Sequence, residues 1–150
     1  MVVVYLFMQH PIITGLVCGC IWYSASQDLK RSRQQQAAVI ASRGDERLCE
    51  FARSFNSRDV DTWIIRAVFE ELQKELGGAR VFPLRASDRF IEDLCIDLED
   101  LDMVLVPAIA ARTSRSLDDC RSNPYWGEVK TVAELVYAFN AQAVLNFDSY

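Results

Sequence analysis

The acidic side chains of this sequence are concentrated in one short stretch, RFIEDLCIDLEDLDMV at positions 89–104. Carboxylates this close together can support acid–base catalysis, binding of a hard cation such as Ca²⁺, or electrostatic contact with a basic protein surface. Which of these applies depends on the element that positions them. The six carboxylates lie within eleven positions and are Glu92, Asp93, Asp97, Glu99, Asp100 and Asp102.

Catalysis and cation binding are the two weaker interpretations. A pair such as Glu99 and Asp102 needs a pocket and two separated pKa values for acid–base work, and a helix that faces solvent provides neither. The calcium-loop motif, with its required glycine, is absent from the sequence. We therefore predict no enzyme activity, no metal and no cofactor, and a contact between the six carboxylates and a protein partner with a basic surface. The alternative is that they only solubilise an exposed face and cap a helix.

The acidic stretch also keeps a regular apolar pattern, which a disordered acidic tail does not need. The pattern predicts a folded segment with a helix that begins near Asp97 or Leu98, so that several carboxylates lie at the positive end of the helix dipole. Pro107 should kink or end this helix near Val106. The apolar side chains are Phe90, Ile91, Leu94, Ile96, Leu98, Leu101 and Val104.

Helical spacing recurs on both sides of this stretch. Residues 45–55 predict a short amphipathic helix. The clearest helix follows, with Asp59 as a candidate N-cap and Gly77-Gly78 as a left-handed turn at its end. Thr131 can cap a last helix. The sequence therefore predicts an all-α fold.

The N-terminal residues form a long apolar segment. Residues 2–23 carry no formal charge and are long enough, at about 1.5 Å per residue, to cross a hydrocarbon core of about 30 Å. We expect a single transmembrane helix there. The basic residues Lys30, Arg31 and Arg33 follow it, which favours an inner-membrane protein with its C-terminal domain in the cytoplasm. Two alternatives are a lipoprotein processing site at Cys20 and a start codon placed too far upstream, which would leave the protein cytoplasmic.

Length and charge divide the chain into three parts. Its 150 residues suffice for one small domain and an appendage. We expect an anchor over 1–27, a basic helical linker over 28–58 and a globular domain over 59–150. The last part has nine basic and seventeen acidic side chains. It should repel nucleic acid, whose binding depends on phosphate neutralisation.

The order of these elements, over about residues 59–143, resembles that of acyl carrier proteins. That family carries a phrase of the form F-x-E-D-L-x-x-D-S-L at the start of its second helix. Here Phe90, Glu92, Asp93, Leu94 and Asp97 stand at the matching places. The chain is most similar to bacterial carrier-like proteins of unknown function that lack the serine. The resemblance implies a small four-helix bundle, preceded here by the N-terminal membrane helix.

One departure from the family decides the chemistry that the resemblance implies. Leu98 occupies the position of the serine whose hydroxyl carries 4′-phosphopantetheine. A leucine side chain has no nucleophile, so we predict a carrier-like, membrane-anchored, non-catalytic protein that binds a partner without covalent acyl carriage. The alternative is a carrier protein modified on a non-standard serine, for which SRSLDD at 114–119 offers Ser116.

Overall fold

The computed structural model describes residues 11–44, 47–77, 81–118 and 120–145, and these residues are all-helical. They contain no strand, although Arg89 and Thr131 form one isolated antiparallel bridge and Arg115 and Val144 form another. An all-helical chain agrees with the sequence prediction. The α-helices are α1 (Pro11–Arg43), α2 (Leu48–Arg53), α3 (Thr62–Glu75), α4 (Leu98–Asp100), α5 (Val106–Thr113) and α6 (Val132–Ala141).

The predicted membrane crossing over residues 2–23 is wrong, and the inner-membrane localisation that depended on it is wrong as well. Among the described residues, no helix combines the length and the apolar character that a membrane crossing requires. The apolar part of α1 covers only 11–23, about 20 Å of helix, before polar residues and then the charged Asp28 follow. Residues 2–10 of the predicted crossing lie outside the described residues.

The described residues divide after Ala37 into two units. The first holds the larger part of α1. The second holds the last residues of α1 and all the other helices, and Val39 and Ile40 pack on its apolar core.

The helix α3 is the central element of the second unit. It packs against α2, α5 and α6, and it buries Ile64, Val68 and Leu72. Its N-cap is Asp61, whose carboxylate accepts the backbone N–H of Trp63 at 2.8 Å, and not Asp59 as the sequence predicted. Gly77 has φ +56° and supplies the predicted left-handed turn, whereas Gly78 lies outside the described residues.

The segment 81–97 is not helical, yet it contributes heavily to the core. Phe82, Leu84, Phe90, Leu94 and Ile96 are all buried. Backbone hydrogen bonds fasten the segment to the start of α6, because the N–H of residue 90 donates to the carbonyl of residue 130 and the N–H of residue 132 donates to the carbonyl of residue 88. The acidic stretch therefore begins on a fixed part of the fold.

A buried ion pair fixes the first half of the same segment. Asp88 is only 2% exposed, and its carboxylate lies 2.6 Å from the guanidinium of Arg43, at the end of α1. The same carboxylate accepts the backbone N–H of Arg85 at 2.8 Å, and Arg43 also donates to the carbonyl of Pro83. Nothing in the local sequence pattern indicates this pairing across 45 positions.

The helix of the acidic stretch continues through Pro107 by changing its hydrogen-bond register. Between α4 and α5, residues Leu101–Leu105 form a π-helical turn, in which the N–H of Val106 donates to the carbonyl of Leu101. Pro107 is then the second residue of α5, where a missing N–H costs least. The predicted kink or end near Val106 is thus replaced by a π turn.

The last helix begins where the sequence predicted. Thr131 is its N-cap and forms a reciprocal capping box with Glu134. Val132, Leu135 and Phe139 are buried against the other helices. The short 3₁₀ turns Cys120–Ser122 and Trp126–Glu128 connect α5 to α6.

Candidate partner-binding site

The turn before α4 holds the first two predicted contact residues. The carboxylate of Asp93 accepts the backbone N–H of Arg89 at 2.9 Å, and the carboxylate of Glu92 lies 2.7 Å from the Arg89 guanidinium. Asp93 is half-buried and Glu92 is exposed. The turn thus uses Asp93 for its own hydrogen bonding and leaves Glu92 at the surface.

Asp97 has a structural role as the N-cap of α4. Its carboxylate accepts the backbone N–H of Asp100 at 2.8 Å, an interaction that typically stabilises a helix by about 1 kcal/mol. Glu99 and Asp100 lie in the first turn, where the helix dipole favours negative charge. The capping interpretation therefore applies to Asp97, although its side chain remains exposed.

The remaining carboxylates lie on a surface that also exposes large apolar side chains. Glu99, Asp100 and Asp102 are exposed, and so are Leu98 at 55%, Met103 at 73% and Val104 at 48%. None of these three apolar side chains belongs to the buried core. We call this surface the acidic face, and it consists of Leu98, Glu99, Asp100, Asp102, Met103 and Val104.

The spacing of two buried leucines determines which residues reach the acidic face. Leu101 and Leu105 are 3% and 2% exposed, and the three residues between them all face solvent. Four positions separate the two leucines, so that both lie on the inner face of the helix. Asp102, Met103 and Val104 are therefore presented side by side.

Leu98 is the first residue of α4, directly after the N-cap. Its side chain is exposed and contains only carbon and hydrogen, so it offers solvent no nucleophile and no proton donor. Its position at the exposed start of a helix is the one that sequence analysis expected for it.

A cavity of about 300 Å³ lies next to Leu98. Its walls come from the acidic helix, from the 3₁₀ turn at Trp126 and from α6. The walls are mostly apolar, with Asp102 and Lys130 as the charged contributors. No sequence pattern indicates this cavity, because its residues come from separate elements: Leu98, Leu101, Asp102, Val106, Trp126, Gly127, Val129, Lys130 and Leu135.

Ser116, the alternative attachment residue, lies in a different environment. Its hydroxyl is hydrogen-bonded to the Asp118 carboxylate at 3.1 Å and accepts the backbone N–H of Asp118 at 3.0 Å. Its own N–H donates to the carbonyl of Ala143. The residue is half-buried and follows the left-handed Ser114, so it does not begin a helix.

Histidine, cysteine and carboxylate side chains do not come together as a metal site in the described part of the chain, where no group of three is suitably arranged. Cys49, on α2, is exposed, and Cys95 and Cys120 are partly exposed. The predicted absence of a metal, a cofactor and a catalytic activity stays a prediction.

A second charged cluster, which sequence reasoning missed, links α3 to α5. The guanidinium of Arg112 donates to the carboxylate of Glu71 at 2.8 Å and to that of Glu70, and it lies 5.6 Å from the ring centre of Trp63. Lys74 also donates to Glu71. The spacing of Arg66 and Glu70 on α3 is visible in the sequence, but the partner on α5 is not.

This cluster alters the protonation of both glutamates. The hydrogen bonds from Arg66 and Arg112 lower the pKa of Glu70. Burial raises the pKa of Glu71, but the hydrogen bonds from Lys74 and Arg112 outweigh it, so that this pKa is also lowered. The clustered charges join α3 to α5.

We expect the substitution Arg112→Gln to lower the free energy of unfolding by about 1–3 kcal/mol at pH 7, the usual range for hydrogen bonds to charged groups. Carboxylates with a lowered folded pKa stabilise the fold above the unfolded pKa, and this contribution is lost as the pH falls through the folded pKa. The difference between wild type and variant should therefore shrink below about pH 4.5. Urea unfolding across pH measures it, and a difference that is constant with pH would contradict the assignment.

Comparison of the chain with protein-family models, with curated proteins and with solved structures finds no match.

Proposed function

We propose that this protein is a non-catalytic, carrier-like protein that binds the basic surface of a protein partner through its acidic face, without covalent acyl carriage. One observation carries the proposal: α4 and the following π turn expose three carboxylates together with three large apolar side chains. Carboxylates that only solubilise a surface do not require Leu98, Met103 and Val104 beside them.

The combination of charge and apolar surface is suited to recognition. Opposite potentials accelerate encounter and orient the partner, whereas the burial of apolar side chains supplies affinity. The domain part of the sequence is acidic overall, which favours a basic partner. Asp97, which is exposed beside the acidic face, extends its negative charge, whereas the charge of Glu92 is paired with that of Arg89.

The carrier-like part of the proposal depends on Leu98. In the resemblance to acyl carrier proteins, this residue takes the place of the modified serine, and its place as the first residue after the cap Asp97 supports the comparison. Without a hydroxyl at position 98, the protein can bind a partner but cannot carry a phosphopantetheine arm there.

The test is partner retention at low ionic strength by three immobilised proteins. The first is wild type, the second is Glu99→Gln, Asp100→Asn, Asp102→Asn, and the third is a matched control with the same change in charge elsewhere. We expect the second to bind the retained partner at least about tenfold more weakly than wild type, because the opposite charges no longer attract.

The control carries Asp59→Asn, Glu75→Gln and Asp118→Asn, three exposed carboxylates outside the acidic face. It should retain the partner as wild type does. Equal retention by all three proteins would exclude the acidic face as the binding surface. Equal weakening by both variants would show that binding depends on the net charge of the protein and not on the acidic face.

A further inference from the structure

We infer that the cavity beside Leu98 receives an apolar side chain of the basic partner, so that one hydrophobic anchor and a surrounding positive charge are recognised together. This inference rests on the proposed function and names the chemistry of the partner. It combines the shape of the cavity with the charge around it.

The floor of the cavity belongs to the core. Leu101, Val106 and Leu135 are 3%, 7% and 0% exposed, and all three line the cavity. Leu98 and Gly127 also line it and are exposed, so the cavity opens to solvent between them. A volume of about 300 Å³ accommodates a leucine or methionine side chain together with part of its backbone.

The charge at the opening indicates what the apolar group is attached to. Asp102 lines the cavity, and Glu99 and Asp100 lie exposed on the same helix. Lys130 lies on the opposite wall, where its backbone N–H donates to Glu134 and its charge helps to lower the pKa of that carboxyl. Asp102 and Lys130 balance each other on the cavity walls, but Glu99 and Asp100 keep the surrounding surface of the helix negative, which disfavours an anionic amphiphile and favours a basic protein segment.

Leu98 connects the cavity to the acidic face. It lines the cavity and is exposed at 55%, so an apolar group can pass from the surface to the cavity along a continuous hydrocarbon surface. Leu98, which has no hydroxyl group, thus also contributes apolar surface to the rim of the cavity.

Two synthetic basic peptides of identical charge test the inference. One has a leucine at the centre of its lysines and arginines, and the other has an alanine there. Their affinities for the full chain are measured by fluorescence anisotropy at low ionic strength. We expect the leucine peptide to bind at least about tenfold more tightly, because it buries three more carbon atoms.

The substitution Gly127→Leu provides the blocking variant. A Cβ atom added at Gly127 meets nothing within 4 Å, so the longer side chain can occupy the cavity opening without a clash at its base. It leaves every carboxylate in place. The variant should bind both peptides with the affinity that wild type has for the alanine peptide, and circular dichroism checks that it folds.

The possible results separate the inference from the proposed function. Equal affinities of the two peptides for wild type, or a leucine advantage that survives Gly127→Leu, would overturn the inference and leave charge-based binding intact. If octanoate bound saturably to wild type but not to Gly127→Leu, and the leucine peptide had no advantage, the cavity would bind a small molecule and not a peptide side chain. Failure of both peptides to bind would count against the proposed function itself.

Discussion

Replacing Leu98 with serine should convert a chain that a phosphopantetheinyl transferase leaves unmodified into one that it modifies. The expectation follows from the proposed resemblance to acyl carrier proteins. Leu98→Ser places a serine directly after Asp97, the cap of α4, at an exposed position, so that the phrase F-x-E-D-L-x-x-D-S-L is matched except at its last position, where Glu99 stands in place of leucine. The new hydroxyl would lie at the start of a helix, where the phrase of that family places its serine.

Mass spectrometry after incubation with the transferase and coenzyme A measures the outcome. Wild type should show no added mass, and Leu98→Ser should gain the mass of the phosphopantetheine arm on residue 98. Modification of wild type at Ser116 would contradict the proposed lack of carriage and support the non-standard serine. An unmodified Leu98→Ser variant would remove the basis for the comparison with carrier proteins.

The substitution Asp88→Ala should lower the free energy of unfolding by about 3–5 kcal/mol, the cost of breaking a buried ion pair by removing one partner. It leaves the Arg43 guanidinium, whose side chain is 14% exposed, without the carboxylate that lies 2.6 Å away. It also removes the acceptor for the N–H of Arg85. Because domains of this size are stable by about 5–15 kcal/mol, such a loss would be a large fraction of the total.

Urea unfolding monitored by circular dichroism tests this prediction. The matched control is Asp102→Ala, because Asp102 is exposed and substitutions at such positions usually change stability by about 0.5 kcal/mol or less. If both variants lost the same small amount, the buried pair would not be the contact that fastens segment 81–88.

Features that depend on neighbouring residues were predictable from the sequence. The start of α4 at Leu98 and the cap Thr131 follow from short polar residues directly before apolar helical spacing. Gly77 was predictable because a glycine directly after the last apolar position of a helix commonly supplies a left-handed turn. Asp59 was a wrong choice because Asp61 has the same side chain two residues later and stands directly before Thr62, the first residue of α3.

Features that depend on distant residues were not predictable. The pairs Arg43–Asp88 and Arg112–Glu71 join residues more than 40 positions apart, and no periodic pattern marks them. The π turn arises because Pro107 removes a hydrogen-bond donor, and a proline can be accommodated by a kink, by an end or by a change of register. The sequence could identify the perturbation at Pro107 but not its outcome.

The candidate site was predictable in part. All six acidic residues were visible as a cluster, but only the structure distinguishes Asp93 and Asp97, which serve the turn and the cap, from Glu99, Asp100 and Asp102. The apolar half of the acidic face was hidden, because Leu98 and Val104 fit a core pattern as well as Leu101 does. Exposure is a property of the packed chain, and spacing alone does not determine it.

Carboxylate footprinting in the presence of the bound partner tests the central claim most directly. A water-soluble carbodiimide modifies exposed carboxylates, and peptide mass spectrometry reports how far each one is protected in the complex. The proposed function predicts that Glu99, Asp100 and Asp102 become protected, whereas Asp59 and Glu75 react as in the free protein. Unchanged reactivity of the acidic face, with protection at Asp59 or Glu75 instead, would contradict it.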